Sequence, residues 1–271
     1  MNGKICLVTG ATDGIGKVTV RELAQQGATV IAVGRDPAKI KKTIAEIGQT
    51  PGTLDFLTAD LSSQAQVRTI AETVKSKYDR LHVLVNNAGA MIPEYCESAD
   101  GIEMTFALNH LAYFLLTNLL LDLITASAPA RIINVASDYH EKHTINFDEL
   151  GHPLDYHGGW TSYGSSKLAN ILFTYELARR LNRTDVTVNA VHPGFVNTNF
   201  QNAAGLNFRG QLTPEEGADT QIWLATSDEV EGITGKYFVR RRETRSSNAS
   251  YDEAVARRLW DASAQMVHLT D

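Results

Sequence analysis

Short apolar runs alternate along this chain with longer segments in which apolar residues recur every three or four positions. The first such runs are Lys4–Thr9, Thr29–Val33, Leu54–Thr58 and Leu81–Val85. A short, continuous apolar run is typical of a buried strand, and the longer periodic segments are typical of amphipathic helices. A strand followed by a helix, repeated through the first third of the chain, predicts a parallel sheet with helices on both faces and right-handed crossovers.

The rest of the chain continues the pattern with less regular spacing. A helical pattern occupies Gly101–Thr125, and the apolar run Arg131–Ser137 predicts a fifth strand. A long helical pattern begins near Tyr163, and Val186–Val191 is the last predicted strand. The polar, glycine-containing stretch Asn199–Leu212 is expected to form a mobile loop that acts as a substrate lid.

The turn after the first strand is rich in glycine. Gly10, Gly14 and Gly16 separate that strand from the next helical pattern. Glycines let backbone N–H groups approach a pyrophosphate at the positive end of a helix dipole, so the turn predicts a dinucleotide phosphate site. The spacing is a longer variant of the common G-x-G-x-x-G pattern, and a purely structural role for the three glycines remains the alternative.

The second strand ends in Gly34 and Arg35, followed by Asp36 and Pro37. In a dinucleotide fold this strand end meets the adenosine ribose, where an acid binds the free hydroxyls of NAD and an arginine accommodates the 2′-phosphate of NADP. Asp36 and Pro37 are instead typical of a helix N-cap and first turn. Arg35 therefore favours NADP(H), with a surface arginine that binds nothing as the alternative.

Other predicted strand ends also carry polar residues. Asp60 follows the third strand and Asn87 follows the fourth, while Ser137 closes the fifth. Ligands of such sheets bind outside the carboxyl ends of the strands, so these residues are expected to meet Gly10 and Arg35 at one crevice. The fold class that results is α/β, a single-domain Rossmann-like doubly wound parallel sheet.

Tyr163 and Lys167 are four residues apart at the start of the long helical pattern. Residues with this spacing share one helix face. A phenol titrates near ~10 and a fixed cation favours its phenolate, so the pair is suited to exchanging a proton with an alcohol or carbonyl. A helix surface pair without function is the alternative for these two residues alone.

Composition limits the classes of protein that this chain can be. The 271 residues are 43% hydrophobic and 21% charged, which is typical of one globular domain spanning 1–271. A net charge of -6 predicts no nucleic-acid partner. Two cysteines support no disulfide framework, and with a first strand that starts by Lys4 we expect no membrane anchor and a cytoplasmic location. A homo-oligomer is left open.

Histidines and apolar residues surround the expected substrate cleft in the sequence. The four histidines that precede the Tyr163 helix match no tetrahedral ligand spacing, so we expect no metal and predict a polar rim of the cleft instead. They are His140, His143, His152 and His157. The apolar residues expected near the cleft favour an apolar substrate. They are Met91, Ile92, Trp160, Phe195 and Phe200.

Six motifs follow one another along the chain: Thr9–Gly16, Asn86–Gly89, Asn109, Ser137, Tyr163–Lys167 and Pro193-Gly194. In this order they resemble the motifs of the short-chain dehydrogenase/reductase family, and the match spans almost the whole chain. Asn109–Thr117, Ser166–Phe173 and Gly235–Phe238 resemble the branch that contains retinol dehydrogenases and related lipophilic-carbonyl reductases. Asp13 departs from the family pattern, in which a neutral or basic residue more often lies beside the phosphates.

The resemblance implies a role for each catalytic candidate. Tyr163 would donate or accept the hydroxyl proton, and Lys167 would lower the pKa of Tyr163 while holding the nicotinamide ribose. Ser137 would hydrogen-bond the substrate oxygen where negative charge develops. Asn109 would hold a water that connects Lys167 to bulk solvent.

The resemblance also implies the residues that bind the cofactor, which is NADP(H) by preference with NAD(H) as the alternative. They are Gly10, Thr12, Gly14, Ile15, Gly16, Arg35, Asp60, Leu61, Asn87, Ala88, Gly89, Tyr163, Lys167, Pro193, Gly194, Val196 and Thr198. The predicted function is hydride transfer between NADP(H) and the carbonyl/alcohol carbon of an apolar ketone, aldehyde or alcohol. An NAD-dependent alcohol dehydrogenase and a non-catalytic dinucleotide-sensing regulator are the alternatives, and the complete set of Ser137, Tyr163 and Lys167 argues against the regulator.

Overall fold

The computed structural model describes residues 1–200, 204–205 and 210–269. Its strands are β1 (Ile5–Thr9), β2 (Thr29–Gly34), β3 (Thr53–Thr58), β4 (Val83–Asn86), β5 (Ala130–Val135), β6 (Val186–His192), β7 (Lys236–Val239) and β8 (Arg242–Glu243). Its α-helices are α1 (Gly14–Gln25), α2 (Pro37–Ile47), α3 (Gln64–Lys77), α4 (Met104–Phe106), α5 (Ala112–Leu119), α6 (Leu121–Ala126), α7 (Trp160–Arg180), α8 (Pro214–Thr226) and α9 (Glu253–Met266).

The described strands form one eight-stranded sheet in the order β3-β2-β1-β4-β5-β6-β7-β8. Neighbours from β3 to β7 pair in parallel, and β8 pairs antiparallel with β7. The strand order reverses at β1, which lies between β2 and β4. This reversal confirms the predicted doubly wound sheet and creates the crevice in which such folds bind ligands.

Apolar side chains of the central strands are buried on both faces of the sheet. Leu7 of β1 belongs to a core with α3, α5 and α7, whereas its neighbours Cys6 and Val8 belong to a second core with α1 and α8. All three side chains are 0% exposed. This two-sided burial explains why the strands are continuous apolar runs. None of the described helices is long and apolar enough to cross a membrane.

Two strands that the sequence pattern did not predict complete the sheet. β7 and β8 form a hairpin whose turn residues, Arg240 and Arg241, have φ angles of 50° and 59°. β7 is short, at four residues, and gives little periodic signal. It pairs in parallel with β6, and its Tyr237 and Phe238 are buried. The arginine-rich run Arg240–Arg242 therefore forms the exposed turn of this hairpin and the start of its last strand.

The helix predicted over Gly101–Thr125 is interrupted. It begins with the short helix α4, passes through a π-helical turn at Ala107–Leu111 and continues as α5 and α6. Within the π-helical turn, the carbonyl oxygen of Asn109 accepts a hydrogen bond from Asn170 Nδ2 at 3.0 Å. A partner on another helix thus stabilises a backbone irregularity that sequence periodicity cannot reveal.

The same π-helical turn buries a histidine whose titration we expect to control acid stability. His110 is 0% exposed, bonds Asn170 and Ser263, and has its pKa lowered by burial to about 4. The unfolded chain binds this proton near pH ~6.5, so the native state should lose about 2 kcal/mol of unfolding free energy when the pH falls from about 7.5 to 5. Denaturant unfolding at the two pH values measures this loss.

His110→Gln should reduce that pH dependence, because the substituted side chain takes up no proton. His152→Gln is the matched control, since His152 is exposed. An unchanged pH dependence of unfolding in His110→Gln would contradict the assignment.

Candidate active site

The carboxyl ends of the central strands surround a cavity of about 660 Å³. Every residue predicted to bind the cofactor lines this cavity except Gly16, which is buried in the first turn of α1. Ser137, Tyr163 and Lys167 line it as well, whereas Asn109 does not. The residues that the sequence analysis gathered from distant positions are thus brought together at one site.

The glycine-rich turn is held against the end of β4 by hydrogen bonds. Asn87 Nδ2 donates to the Thr9 carbonyl at 2.8 Å, and the backbone amides of Asn87 and Ala88 donate to Thr9 Oγ1 at 2.8 and 3.0 Å. Gly10 has a φ of 67°, and a Cβ there would lie 2.8 Å from the Ala88 Cα. Only glycine permits this turn to lie so close to β4.

The N-terminus of α1 opens into the cavity beside this turn. Asp13 is the N-cap of the helix, and its Oδ1 accepts from the Gly14 amide at 2.8 Å. Its Oδ2 accepts from Asn199 Nδ2 at 2.7 Å. The carboxylate that departs from the family pattern thus caps the helix and anchors the chain after β6.

The end of β2 presents Arg35 to the cavity. Its side chain is exposed, and no hydrogen bond or ion pair joins it to another residue within the described ranges. Asp36 instead caps α2, because its Oδ1 accepts from the amides of Ala38 at 2.8 Å and Lys39 at 3.4 Å. The predicted N-cap is therefore confirmed, and the strand itself ends in Gly34, which carries no side chain.

Two further strand ends complete the cofactor side of the cavity. After β3, Asp60 Oδ1 accepts hydrogen bonds from the backbone amide of Ser62 at 3.0 Å and from its hydroxyl at 2.7 Å. Asp60 and Leu61 consequently form a fixed turn in the wall. After β6, the wall is formed by Pro193, Gly194 and the segment that follows.

Helix α7 places Tyr163 and Lys167 on the face that borders the cavity. Lys167 Nζ lies 5.6 Å from the centroid of the Tyr163 ring. The ammonium is buried, with 3% exposure, and it donates to the Val135 carbonyl at 3.1 Å. An ammonium has three N–H donors, and no other acceptor among the described residues bonds this one.

Burial shifts both members of this pair towards their neutral forms. It raises the pKa of Tyr163 to about 12, against a smaller lowering by the Ser137 hydroxyl, and it lowers the pKa of Lys167 to about 7. Desolvation thus opposes the lowering of the Tyr163 pKa that is expected from Lys167, and that role of Lys167 stays a prediction. At neutral pH, Tyr163 is a protonated phenol that can donate its proton.

Ser137 lies where β5 ends and contacts the residue that follows it. Its hydroxyl donates to Asp138 Oδ1 at 3.1 Å and accepts from the Tyr139 amide at 3.2 Å. Asp138 also lines the cavity, and its backbone amide donates to His192 Nδ1 at 3.3 Å. Neither Asp138 nor His192 was predicted from the sequence. Their positions directly after β5 and at the end of β6 were the available signal.

Asn109 is fully buried behind the cavity wall. Its Oδ1 accepts from the Ala90 amide at 2.9 Å, and its Nδ2 donates to the Ala90 carbonyl at 2.9 Å and to Ser166 Oγ at 3.0 Å. The amide therefore connects the loop after β4 to helix α7. Its expected role in holding a water stays a prediction.

The remaining wall is largely apolar. It includes the predicted residues Ile92, Trp160, Phe195 and Phe200, together with Met104, Leu108 and Tyr139, which the sequence analysis did not identify. Met91 is buried in the core instead of lining the cavity.

The predicted histidine rim is wrong. None of the four histidines lines the cavity, and His140 is completely buried, with its Nδ1 bonded to the Ser137 carbonyl at 2.6 Å. His143 bonds the Tyr139 carbonyl and packs against Gly164 of α7. Within the described chain, no cluster of three or more potential metal ligands occurs.

The lid predicted over Asn199–Leu212 lies partly outside the described residues, which omit 201–203 and 206–209. Where the chain is described again, the Asn197 amide donates to the Leu212 carbonyl at 2.8 Å. The lid function stays a prediction.

Comparison with known proteins adds independent information. A profile of the short chain dehydrogenase family matches residues 4–207. Retinol dehydrogenase 14 of Homo sapiens is 43% identical to this chain, covering 99% of it and 88% of the relative. Retinol dehydrogenase 11 of Homo sapiens is 41% identical, covering 98% of this chain and 86% of the relative.

Solved structures agree with the sequence relatives. An uncharacterized protein from Mycobacterium paratuberculosis has a TM-score of 0.82 and 32% identity, covering 98% of this chain and 94% of its own. A short chain dehydrogenase from Escherichia coli CFT073, complexed with NADPH, has a TM-score of 0.73 and 26% identity, covering 89% and 98% of the two chains. With the profile match and the retinol dehydrogenase relatives, this evidence shows that the chain belongs to the short-chain dehydrogenase/reductase family.

Proposed function

We propose that this protein transfers a hydride between NADP(H) and the carbonyl/alcohol carbon of an apolar ketone, aldehyde or alcohol. The observation that carries the proposal is the convergence of Ser137, Tyr163 and Lys167 on one wall of a cavity whose other polar wall is formed by the strand ends. A protonated phenol beside an apolar pocket favours the reductive direction, because reduction of a carbonyl consumes a proton.

The residues of the cavity fit a nicotinamide dinucleotide. The glycine-rich turn and the N-terminus of α1 offer backbone N–H groups to a pyrophosphate. Lys167 Nζ lies close to Gly89, since a Cβ added there would be 3.4 Å from it, and its remaining N–H donors could hold ribose hydroxyls. When bound, the dinucleotide would supply or accept the hydride.

The chain's own residues would handle the proton and the developing charge. Tyr163 would donate its phenolic proton to the carbonyl oxygen as that oxygen becomes an alcohol, and would take the proton back in the oxidative direction. Ser137 would donate a hydrogen bond to the same oxygen, where negative charge develops. Lys167 would orient the cofactor's ribose, and its positive charge would favour the transient phenolate of Tyr163.

The walls beyond these polar groups support a lipophilic substrate. Trp160, Phe195 and Phe200 line the same cavity as Tyr163, and the Phe200 ring centroid lies 5.5 Å from that of Tyr163. Apolar walls with a few polar groups at one end are typical of sites for small apolar ligands. The names of the relatives, retinol dehydrogenases, point to the same class of alcohol or carbonyl compound.

A panel assay tests the proposal directly. Purified protein is mixed with NADPH or NADH and with lipophilic ketones and aldehydes, and the oxidation of the reduced cofactor is followed by absorbance. We expect turnover of several apolar carbonyls with NADPH. Tight cofactor binding without turnover of any carbonyl or alcohol would contradict the proposal and favour a dinucleotide-sensing regulator.

The preference for NADP(H) is supported by the end of β2. The exposed Arg35 guanidinium can form charge-assisted hydrogen bonds to a 2′-phosphate. An acid at Gly34 would be sterically opposed, because a Cβ there would lie 2.5 Å from Thr12 Cγ2 and 3.2 Å from Ile40 Cγ1. The solvent-screened repulsion from Asp13 is weaker than these bonds.

Arg35→Ala should remove most of the discrimination between NADPH and NADH. We expect wild type to bind NADPH at least about tenfold more tightly, because each hydrogen bond between charged groups contributes ~1.5–3 kcal/mol. A fluorescence titration with both cofactors measures the ratio. Arg80→Ala is the control. Arg80 is exposed and lies before the amino end of β4, whereas Arg35 follows the carboxyl end of β2. An unchanged ratio in Arg35→Ala, or a wild-type preference for NADH, would contradict this assignment.

Two expectations from the sequence stay predictions in addition to this function. They are one catalytic and dinucleotide-binding domain over 1–271 and a cytoplasmic location. A homo-oligomer is still left open.

A further inference from the structure

Asp138 is an acidic side chain in the cavity to which the proposed chemistry assigns no role. It follows Ser137 directly, it lines the cavity, and its side chain is 67% exposed. Its Oδ1 accepts the hydroxyl hydrogen of Ser137 at 3.1 Å, and its Oδ2 lies 3.6 Å from His192 Nε2. A carboxylate thus lies beside the group expected to bind the substrate oxygen.

His192 is suited to facing this carboxylate. Its Nδ1 accepts from the Asp138 amide at 3.3 Å, so a neutral ring carries its hydrogen on Nε2, which lies 3.6 Å from Oδ2. Burial lowers the pKa of His192, which favours that neutral ring at pH 7. The neutral ring leaves the negative charge of Asp138 largely uncompensated.

The hydrogen bond from Ser137 to Asp138 competes with catalysis. A serine hydroxyl has one hydrogen, and a bond to a carboxylate is stronger than a bond to an uncharged carbonyl oxygen. A plain ketone therefore meets a Ser137 whose hydrogen is directed towards Asp138. A substrate that brings its own donor to Asp138 would release the Ser137 hydrogen for the carbonyl oxygen.

We propose that Asp138 selects substrates with a hydroxyl group on the carbon next to the reacting carbon, namely α-hydroxy ketones and α-hydroxy aldehydes, or vicinal diols in the oxidative direction. In such compounds the two oxygens lie within hydrogen-bonding distance of each other. When Ser137 and Tyr163 hold the carbonyl oxygen, the neighbouring hydroxyl reaches Asp138. The body of the substrate remains apolar, so the inference rests on the proposed function and narrows its substrate class.

Matched pairs of ketones test this selection. Benzoin is compared with deoxybenzoin, and acetoin with butanone, at saturating NADPH. We expect wild-type kcat/KM to be at least about tenfold higher for the hydroxylated member of each pair, because one hydrogen bond to a charged group has that magnitude. Equal or lower values for the hydroxylated members would overturn the inference while leaving the proposed function intact. Absence of turnover with both members of every pair and with the wider carbonyl panel would overturn the proposed function and this inference together.

Substitution of Asp138 should change kcat/KM for the two members of a ketone pair in opposite directions. In Asp138→Ala we expect kcat/KM to fall for benzoin and to rise for deoxybenzoin, because Ser137 loses its competitor. Asp138→Asn should give the same change to a smaller extent. A purely structural role would lower both values together. Glu141→Ala is the control, since Glu141 is exposed one turn further on and does not line the cavity. An unchanged ratio in Asp138→Ala would overturn the assignment, and a fluorescence titration with NADPH checks that each variant still binds the cofactor.

Discussion

Tyr163→Phe is expected to lower kcat by at least ~10², which is the usual scale for a positioned acid or base. The substitution removes the phenol that is proposed to donate the proton to the carbonyl oxygen, while the ring remains beside Phe200. We therefore expect NADPH affinity to change little. Steady-state assays on a reactive carbonyl measure the first effect, and fluorescence titration measures the second.

Tyr113→Phe is the matched control for this substitution. Tyr113 is 1% exposed, does not line the cavity, and its hydroxyl has no hydrogen-bond partner among the described residues. Removal of that hydroxyl should leave kcat almost unchanged. Near-normal turnover in Tyr163→Phe would show that another group supplies the proton, and the proposed mechanism would then be wrong.

Lys167→Ala is expected to damage both cofactor affinity and rate, with kcat/KM for NADPH lowered by at least ~10². The residue supplies N–H donors near Gly89 and an ammonium that lies 5.6 Å from the centroid of the Tyr163 ring. Loss of the side chain removes both contributions and leaves the Val135 carbonyl without this donor. Lys142→Ala is the control, because Lys142 is exposed and lies outside the cavity lining.

The lowered pKa of Lys167 also predicts a pH dependence. The side chain is an ammonium below its pKa of about 7 and loses its charge as the pH rises above that value. The kcat/KM for NADPH, which reports groups of the free enzyme, should therefore fall by up to about tenfold per pH unit above this point. In Lys167→Arg, whose guanidinium stays charged, this decrease should disappear. The same decrease in Lys167→Arg would assign the titration to another group.

Much of the cofactor side of the cavity was predictable from local sequence signals. A glycine-rich turn between a buried strand and a helix, and polar residues at the ends of consecutive strands, each report a local backbone arrangement. Parallel pairing places the carboxyl ends of these strands side by side. Strand positions alone therefore predict that Gly10, Arg35, Asp60 and Asn87 line one cavity, as they do. Tyr163 and Lys167 were predictable in the same way, because their spacing fixes a shared helix face.

Other features depend on contacts between residues far apart in the chain. The π-helical turn at Ala107–Leu111 is stabilised by Asn170, and the Asn109 amide binds Ala90 and Ser166. The histidine-rich segment suggested an exposed rim, yet His140 is buried. Residue type and spacing do not show which side chains tertiary packing will bury. The π-helical turn was therefore missed, and the histidine-rich segment was wrongly predicted to be a rim.

The amino-acid sequence by itself determined the doubly wound sheet, the glycine-rich turn, the basic residue after β2 and the shared helix face of Tyr163 and Lys167. These properties follow from hydrophobic periodicity and from residues that are neighbours on one element. Only the tertiary structure decided that burial raises the pKa of Tyr163 and lowers that of Lys167, and that His192 faces Asp138 beside Ser137. The physical reason is that desolvation and competing hydrogen bonds depend on every group packed around a side chain, and those groups come from strands and helices that are distant in the chain.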